Sequence, residues 1–211
     1  MGKKRFWKLQ YSVTIFVIIG VLLMLAPVSI ESSRQAYFIS RWKETFSRME
    51  YVLQVIRTHI SDDMVKNYNQ ASTPEEKEQI VLMLLKPYLR LTPAKLPRSY
   101  KISYMDKKKV DSDDTWHFKE YYYTDKGIIA GIKNLNRKSD KEPVFIMMFD
   151  VNGILPPNTW GKDVYGIVVY NARVTALGAE EPMDKLPHDC STSGRGLYCS
   201  YYYLIGGEFE E

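Results

Sequence analysis

The chain is predicted to be an α+β protein, in which a long N-terminal helix packs on an antiparallel sheet of about four to five strands and a C-terminal disulfide loop follows. Three observations carry that prediction. An uncharged apolar run from Tyr11 to Ile30 passes into apolar residues at helical spacing. From Trp116 onward the chain turns rich in tyrosine, isoleucine and valine between glycine turns. The only cysteines, Cys190 and Cys199, stand close together near the C-terminus. Helical segments precede the strands instead of alternating with them, which is the α+β order.

The first element is YSVTIFVIIGVLLMLAPVSI, residues 11–30. At about 1.5 Å per residue it would cover the roughly 30 Å hydrocarbon core of a bilayer. Lys3, Lys4, Arg5 and Lys8 precede it, and basic residues on the short side hold that side in the cytoplasm. The expected organisation is therefore a basic cytoplasmic leader at 1–10, a transmembrane segment at 11–30 and one extracytoplasmic domain at 31–211. This is a single-pass protein of the cytoplasmic (inner) membrane with its N-terminus inside and the lipid bilayer as a partner. A cleavable signal peptide has a shorter apolar region and an A-x-A site; this run is longer and ends in Pro27 and Ser29. The four leader charges equal the whole formal excess of +4. No basic surplus remains for phosphate neutralisation, which excludes nucleic acid as a partner.

Beyond the run, Trp42, Phe46, Met49, Leu53, Ile56 and Ile60 recur at intervals of three and four, with charged residues on the other faces. That is one apolar stripe on an amphipathic helix. No proline or glycine separates it from Val28, so the two segments are expected to form one helix, with Pro27 as the kink point and Glu31-Ser32-Ser33 as the alternative break. A second helix is signalled by Thr73-Pro74-Glu75-Glu76, with Thr73 as N-cap, proline at the first helical position and Glu76 closing a capping box. It is expected to stop near Pro87. Pro93 and Pro97 mark the stretch up to 115 as a connector with one short strand around Tyr100 to Tyr104. Residues 31–115 thus hold helices and connector, and 116–211 the sheet and disulfide loop.

In the second half, Thr124-Asp125-Lys126-Gly127 reads as a turn between two antiparallel strands. VFIMMFDV is a strand ending at Asn152-Gly153, GIVVY is another, and SYYYLIG at 200–206 is expected to be the last. Of sixteen tyrosines, those in the triplets 121–123 and 201–203 should alternate between packing and an exposed contact surface. The tract CSTSGRGLYC cannot hold itself rigid by apolar packing. On the oxidising side of a membrane Cys190 and Cys199 should form a structural disulfide worth about 2–3 kcal/mol.

Asp150, Asn152 and Asp163 are the candidate metal ligands, because hard oxygens alternating along a loop suit Ca2+. The competing reading is a hydrogen-bonded turn, with Gly153 and Gly161 at unusual φ values and Pro157 and Asn158 shaping the loop. The spacing departs from an EF-hand, since Gly153 stands fourth and Gly161 twelfth. Enzymatic constellations are missing: three histidines, no GxSxG, no HExxH, and Ser193 only in a glycine-rich turn. Asp113 and Asp114 read as solvated loop charges.

The order of these features resembles the type IV pilins and type II secretion pseudopilins: a short basic start, an apolar helix with IIG and a proline about 22 residues in, an amphipathic continuation, then an antiparallel sheet and a cysteine loop. The segment DVNGILPPNTWGKDVY is similar to the DxNGxxxPNxxGxDxF segment of many pilin-like proteins, and YYYTDKGII to the YxxxDGxxI turn that often precedes it. Counting back from Pro27, the resemblance puts Phe6 at the mature N-terminus. Arg5 stands where that family has its processing glycine and Gln10 where it has its docking glutamate. The resemblance implies a structural, non-enzymatic subunit of a type IV pilus or type II secretion type assembly, with other pilin-like subunits or assembly proteins as partners. The departures at Arg5 and Gln10 suit the alternative, a membrane-tethered monomeric binding module that keeps the pilin fold but does not polymerise.

Overall fold

The structure is a computed structural model that describes residues 2–59, 68, 70–135, 142–171 and 173–208, the side chains of 2–13 and 22–31 excepted. Helix α1 (Gly2–His59) is a single helical element through Pro27 and through Glu31-Ser32-Ser33. It belongs to two compact units, residues 1–37 and residues 38–211.

In the first unit, the described side chains of the apolar run are those of 14–21, and Ile15, Phe16, Val17, Ile18, Ile19 and Val21 are all exposed. Arg5, Phe6, Gln10 and Pro27 lie outside the described side chains, as does the rest of the uncharged run. Among the described residues no helix is long and apolar enough to cross a membrane.

The second unit begins with the amphipathic part of α1. Trp42, Met49, Leu53 and Ile56 are buried as their spacing requires, Phe46 is half-buried against the same core, and Phe38 and Val52 widen the stripe. Ile60 lies outside the described residues. Helix α2 (Pro74–Leu89) has both bonds of its capping box: Glu76 N–H donates to Thr73 Oγ1 and the Thr73 N–H to the Glu76 carboxylate. It ends at Leu89, two residues past Pro87 and near the expected stop. Proline there removes a single backbone donor in the last turn, and burial of Leu85 and Leu89 on the inner face holds the turn together. Arg90 ends the helix in the left-handed conformation.

The sheet has six antiparallel strands, not four or five, in the order β1-β2-β3-β4-β5-β6: β1 (Thr92–Pro93), β2 (Tyr121–Tyr123), β3 (Ile129–Asn134), β4 (Phe145–Asp150), β5 (Val164–Val169) and β6 (Val174–Ala176). The two extra strands are the short edges, β1 and β6. Proline is tolerated in β1 because an edge strand has an unpaired side for the position that lacks an N–H. The turn Thr124–Gly127 joins β2 to β3 with Tyr123 opposite Ile129 and Gly127 at φ 72°.

The sequence 199–206 is not a strand. It forms the short helix α4 (Cys199–Tyr202) followed by turns, after α3 (Lys185–Asp189). The edge beside β5 is already occupied by β6, so tertiary packing overrides the strand preference of three tyrosines. Ser200 is buried instead: its carbonyl accepts the Trp42 indole N–H at 2.7 Å, and its hydroxyl accepts the Gly166 N–H at 2.9 Å.

Both faces of the sheet are covered. Phe145, Met147 and Phe149 of β4 join the core under α1 and α2, whereas Ile146 and Met148 join a second cluster with Ile102, Tyr104, Phe118, Trp160 and Leu197. The connector therefore forms the second layer. The expected strand at 100–104 is absent; Ser103 makes only isolated bridges to Lys109 and Thr159, while Ile102 and Tyr104 bury their side chains.

Candidate functional site

The loop from 151 to 163 joins β4 to β5 and has a carboxylate at each end. Asp150 is the last residue of β4 and pairs with Val164, the first of β5, so sheet register alone brings Asp163 beside Asp150. Both residues are 0% exposed. Asp150 Oδ1 accepts the Asn152 N–H at 3.1 Å, and Oδ2 accepts the Tyr100 hydroxyl at 3.0 Å. Asp163 Oδ1 accepts the Thr159 N–H at 2.7 Å, and Oδ2 the Asn158 N–H at 2.9 Å. The Asn152 side-chain nitrogen donates to the carbonyls of Leu155 at 2.8 Å and Pro156 at 3.0 Å and stands 3.5 Å from Asp163 Oδ2.

The hydrogen-bonded turn expected of these residues is thus present. Gly153 and Gly161 have φ of 73° and 80°, Asn158 has φ 48°, and the Pro156-Pro157 peptide is cis. Gly161 is the most constrained of these: a Cβ there would lie 2.7 Å from Cys199 Sγ and 2.9 Å from Gly196 Cα.

Burial raises the affinity of both carboxyls for a proton. It pushes Asp150 well above the ordinary carboxylate range, with the neighbouring Asp163 charge acting in the same direction and the Tyr100, Asn152 and Gly153 hydrogen bonds opposing. Asp163 is pushed up to about 6 by burial, against the amides of Thr159 and Asn158. Among the described residues neither carboxylate makes an ion pair. No described group of three or more His, Cys, Asp or Glu side chains is arranged to hold a metal; the groups that hydrogen-bond these two carboxylates are the Tyr100 hydroxyl, backbone N–H groups and the Asn152 amide.

Cys190 and Cys199 form the expected disulfide, with Cα atoms 5.1 Å apart. The loop it closes is fastened to the connector: Met105 N–H donates to Arg195 O and Asp106 N–H to Gly194 O. Arg195 stacks over the Tyr104 ring, hydrogen-bonds its hydroxyl and pairs with Asp114 at 2.8 Å. Asp114 is therefore not a free loop charge, since Tyr104 and the Trp116 N–H also donate to it. Ser193 Oγ shares a hydrogen bond with Ser191 Oγ.

Sequence reasoning missed Tyr100, Tyr104 and Arg195: Tyr100 reaches Asp150 across 50 residues, and Arg195 reaches Tyr104 across 91. The unbroken apolar run of VFIMMFDV was the available signal, because a strand without alternation is buried on both faces and needs a second cover. A cavity of about 870 Å³ opens between this cover and β2, lined in part by Tyr100, Ile102, Val110, Trp116 and Tyr121. Tyr121 faces it while Tyr122 joins the core under the helices, the alternation expected of the triplet.

No family model, curated protein or solved structure matches the chain.

Proposed function

We propose that this protein is a pilin-like subunit of an envelope assembly of the type IV pilus or type II secretion kind, anchored in the cytoplasmic membrane by residues 11–30 and acting by structural contacts. The observation that carries the reading is the combination of one N-terminal helix, apolar first and amphipathic after, with an antiparallel meander and a disulfide-closed C-terminal loop. Exposed Ile15 to Val21 support it further, since such side chains need lipid or neighbouring helices around them. In this reading the apolar helix is stored in the bilayer and exchanges lipid contacts for helix contacts on assembly. The open groove beside Tyr100 and Tyr121 is then a surface for contact with partner proteins.

Arg5 and Gln10 favour a second reading, a tethered monomer that keeps its leader and does not polymerise. The mass of the N-terminal peptide from protein in its native membrane separates the two. A chain beginning at Phe6, particularly an N-methylated one, is expected of an assembling subunit. An intact Met1 on protein that resists cross-linking to copies of itself would leave the tethered monomer.

A further inference from the structure

We infer that the groove between the connector and β2 receives Glu208-Phe209-Glu210-Glu211 of a second copy of this chain. The inference rests on the reading of that groove as a contact surface and names the segment that enters it.

The walls of the groove are aromatic and fixed. Tyr100 meets Tyr121 edge-on at 5.8 Å between ring centroids, and Trp116 is held the same way against the buried Trp160 at 5.7 Å. The Tyr100 hydroxyl is tied to Asp150, which holds its ring in place. Aromatic walls already in position bind an aromatic side chain without an ordering cost of their own. At about 870 Å³ the groove has the size of a pocket that buries most of a small ligand.

The rim is basic. Lys101, Lys109 and Lys119 line the groove and are exposed, and among the described residues none of the three makes an ion pair. The acidic residue of the lining, Glu120, already accepts the Tyr122 hydroxyl at 2.6 Å. Such a groove selects an aromatic side chain set among carboxylates: the ring packs on the walls, and the carboxylates take the ammonium groups.

The chain carries that segment itself. After Gly206 and Gly207 it reads Glu208-Phe209-Glu210-Glu211, one ring among three carboxylates; residues 209–211 lie outside the described residues. The copy that offers the segment is not the one that receives it. The Gly207 N–H donates to Tyr202 O at 2.9 Å, which roots the segment on α4, and α4 packs against β5 and β6. The groove lies toward the other edge of the sheet, beside β1 and β2. β2 and β5 are three strand spacings apart, about 14 Å, whereas the backbone from Gly207 to Phe209 spans at most about 7 Å. Donor segment and acceptor groove are therefore separate patches of one molecule. A contact of that kind leaves a groove open at one end and a segment free at the other, so it adds copies in a row instead of closing a two-fold pair.

The test places p-benzoylphenylalanine at position 209 of the full chain in its membrane. Irradiation should join it to the stretch 100–121, and a mixture of isotope-labelled and unlabelled chains should show that the link runs between copies. Lys101→Glu and Lys119→Glu together should lower the yield about tenfold. The yield should return when the same chain also carries Glu208→Lys, Glu210→Lys and Glu211→Lys. A fluorescent peptide of sequence IGGEFEE gives a second readout. It should bind the full chain in detergent saturably, lose about tenfold in affinity when its phenylalanine is replaced by alanine, and weaken as salt rises from about 0.05 M to about 0.5 M. Links confined to one copy, links only to other proteins, or a peptide that does not bind or binds the Lys→Glu variant as well as the wild type would overturn the assignment. The assembly reading fails separately, on the mass of the N-terminal peptide: a chain beginning at Phe6 that shows no such link would keep that reading and end this one.

Discussion

Asp163 shows at the residue scale how one side chain holds a loop in shape. Its two oxygens accept the N–H groups of Asn158 and Thr159, both residues buried. Asp163→Ala is therefore expected to cost about 2–4 kcal/mol, the desolvation of two orphaned amides, read by chemical denaturation. Asp163→Asn keeps the shape and one acceptor and should cost less. At Gly161 the left-handed backbone and the disulfide sulfur 2.7 Å from a would-be Cβ act together. Gly161→Ala should lower the melting temperature, because neither the sulfur nor the backbone of Gly196 can withdraw. The turn residues Gly153, Gly161 and Asn158 were legible from their types, since glycine and asparagine are the residues that tolerate positive φ. Tyr100 was not, because nothing local in SYKISY points toward a carboxylate fifty residues away.

Among elements, the amphipathic part of α1 is fastened to the sheet at two places. Trp42 stacks on Tyr165 at 5.0 Å between centroids and donates to Ser200 O, so it touches the sheet and α4 together. Trp42→Ala should cost about 3–5 kcal/mol, whereas Trp42→Phe keeps most of the packing and should lose about 1–2 kcal/mol through the unpaired carbonyl; equilibrium unfolding distinguishes them. The second fastening is Arg48, whose guanidinium makes two bonds to Asp125 at 2.7 and 3.0 Å in the β2–β3 turn and a third to Tyr88 O. The Arg48 hydrogen bond holds the Asp125 carboxyl below its usual range, despite some burial. A depressed carboxylate contributes stability above the unfolded pKa, about 4, and loses it as pH falls through the folded one. The difference in stability between wild type and Asp125→Asn should thus be present at neutral pH and close on acidification below about pH 4. Helix periodicity, the capping box and the 124–127 turn were all readable, since each is fixed by residues within one or two turns of the chain. The segment 199–206 was misread for the opposite reason: its tyrosines favour a strand, but the free edge they would need belongs to β6.

For the second unit as a whole, the decisive feature is that its sheet is covered twice. α1 and α2 cover one face, and the connector covers the other, held by the Arg195–Tyr104–Asp114 cluster and by backbone bonds from Met105 and Asp106 into the disulfide loop. Replacing Cys190 and Cys199 together by serine should cost about 2–3 kcal/mol. It should also release that cover selectively: amide hydrogen exchange at Met105 and Asp106 is expected to accelerate, while β3 and β4 stay protected. Equal acceleration everywhere would mean that the loop does not clamp the connector. The sequence by itself determined the class, the amphipathic stripe, the second helix, the central strands and the cysteine pairing, because periodicity, caps, turns and a lone pair of thiols are local or combinatorially simple. Only the tertiary structure decided that the connector is a second layer, that 199–206 is a short helix followed by turns, and that Asp150 and Asp163 are buried side by side with the Tyr100 hydroxyl on Asp150. Those outcomes depend on strand register and on contacts across fifty or more residues, and a side chain carries no mark of the distant partner that closure of the fold will bring to it.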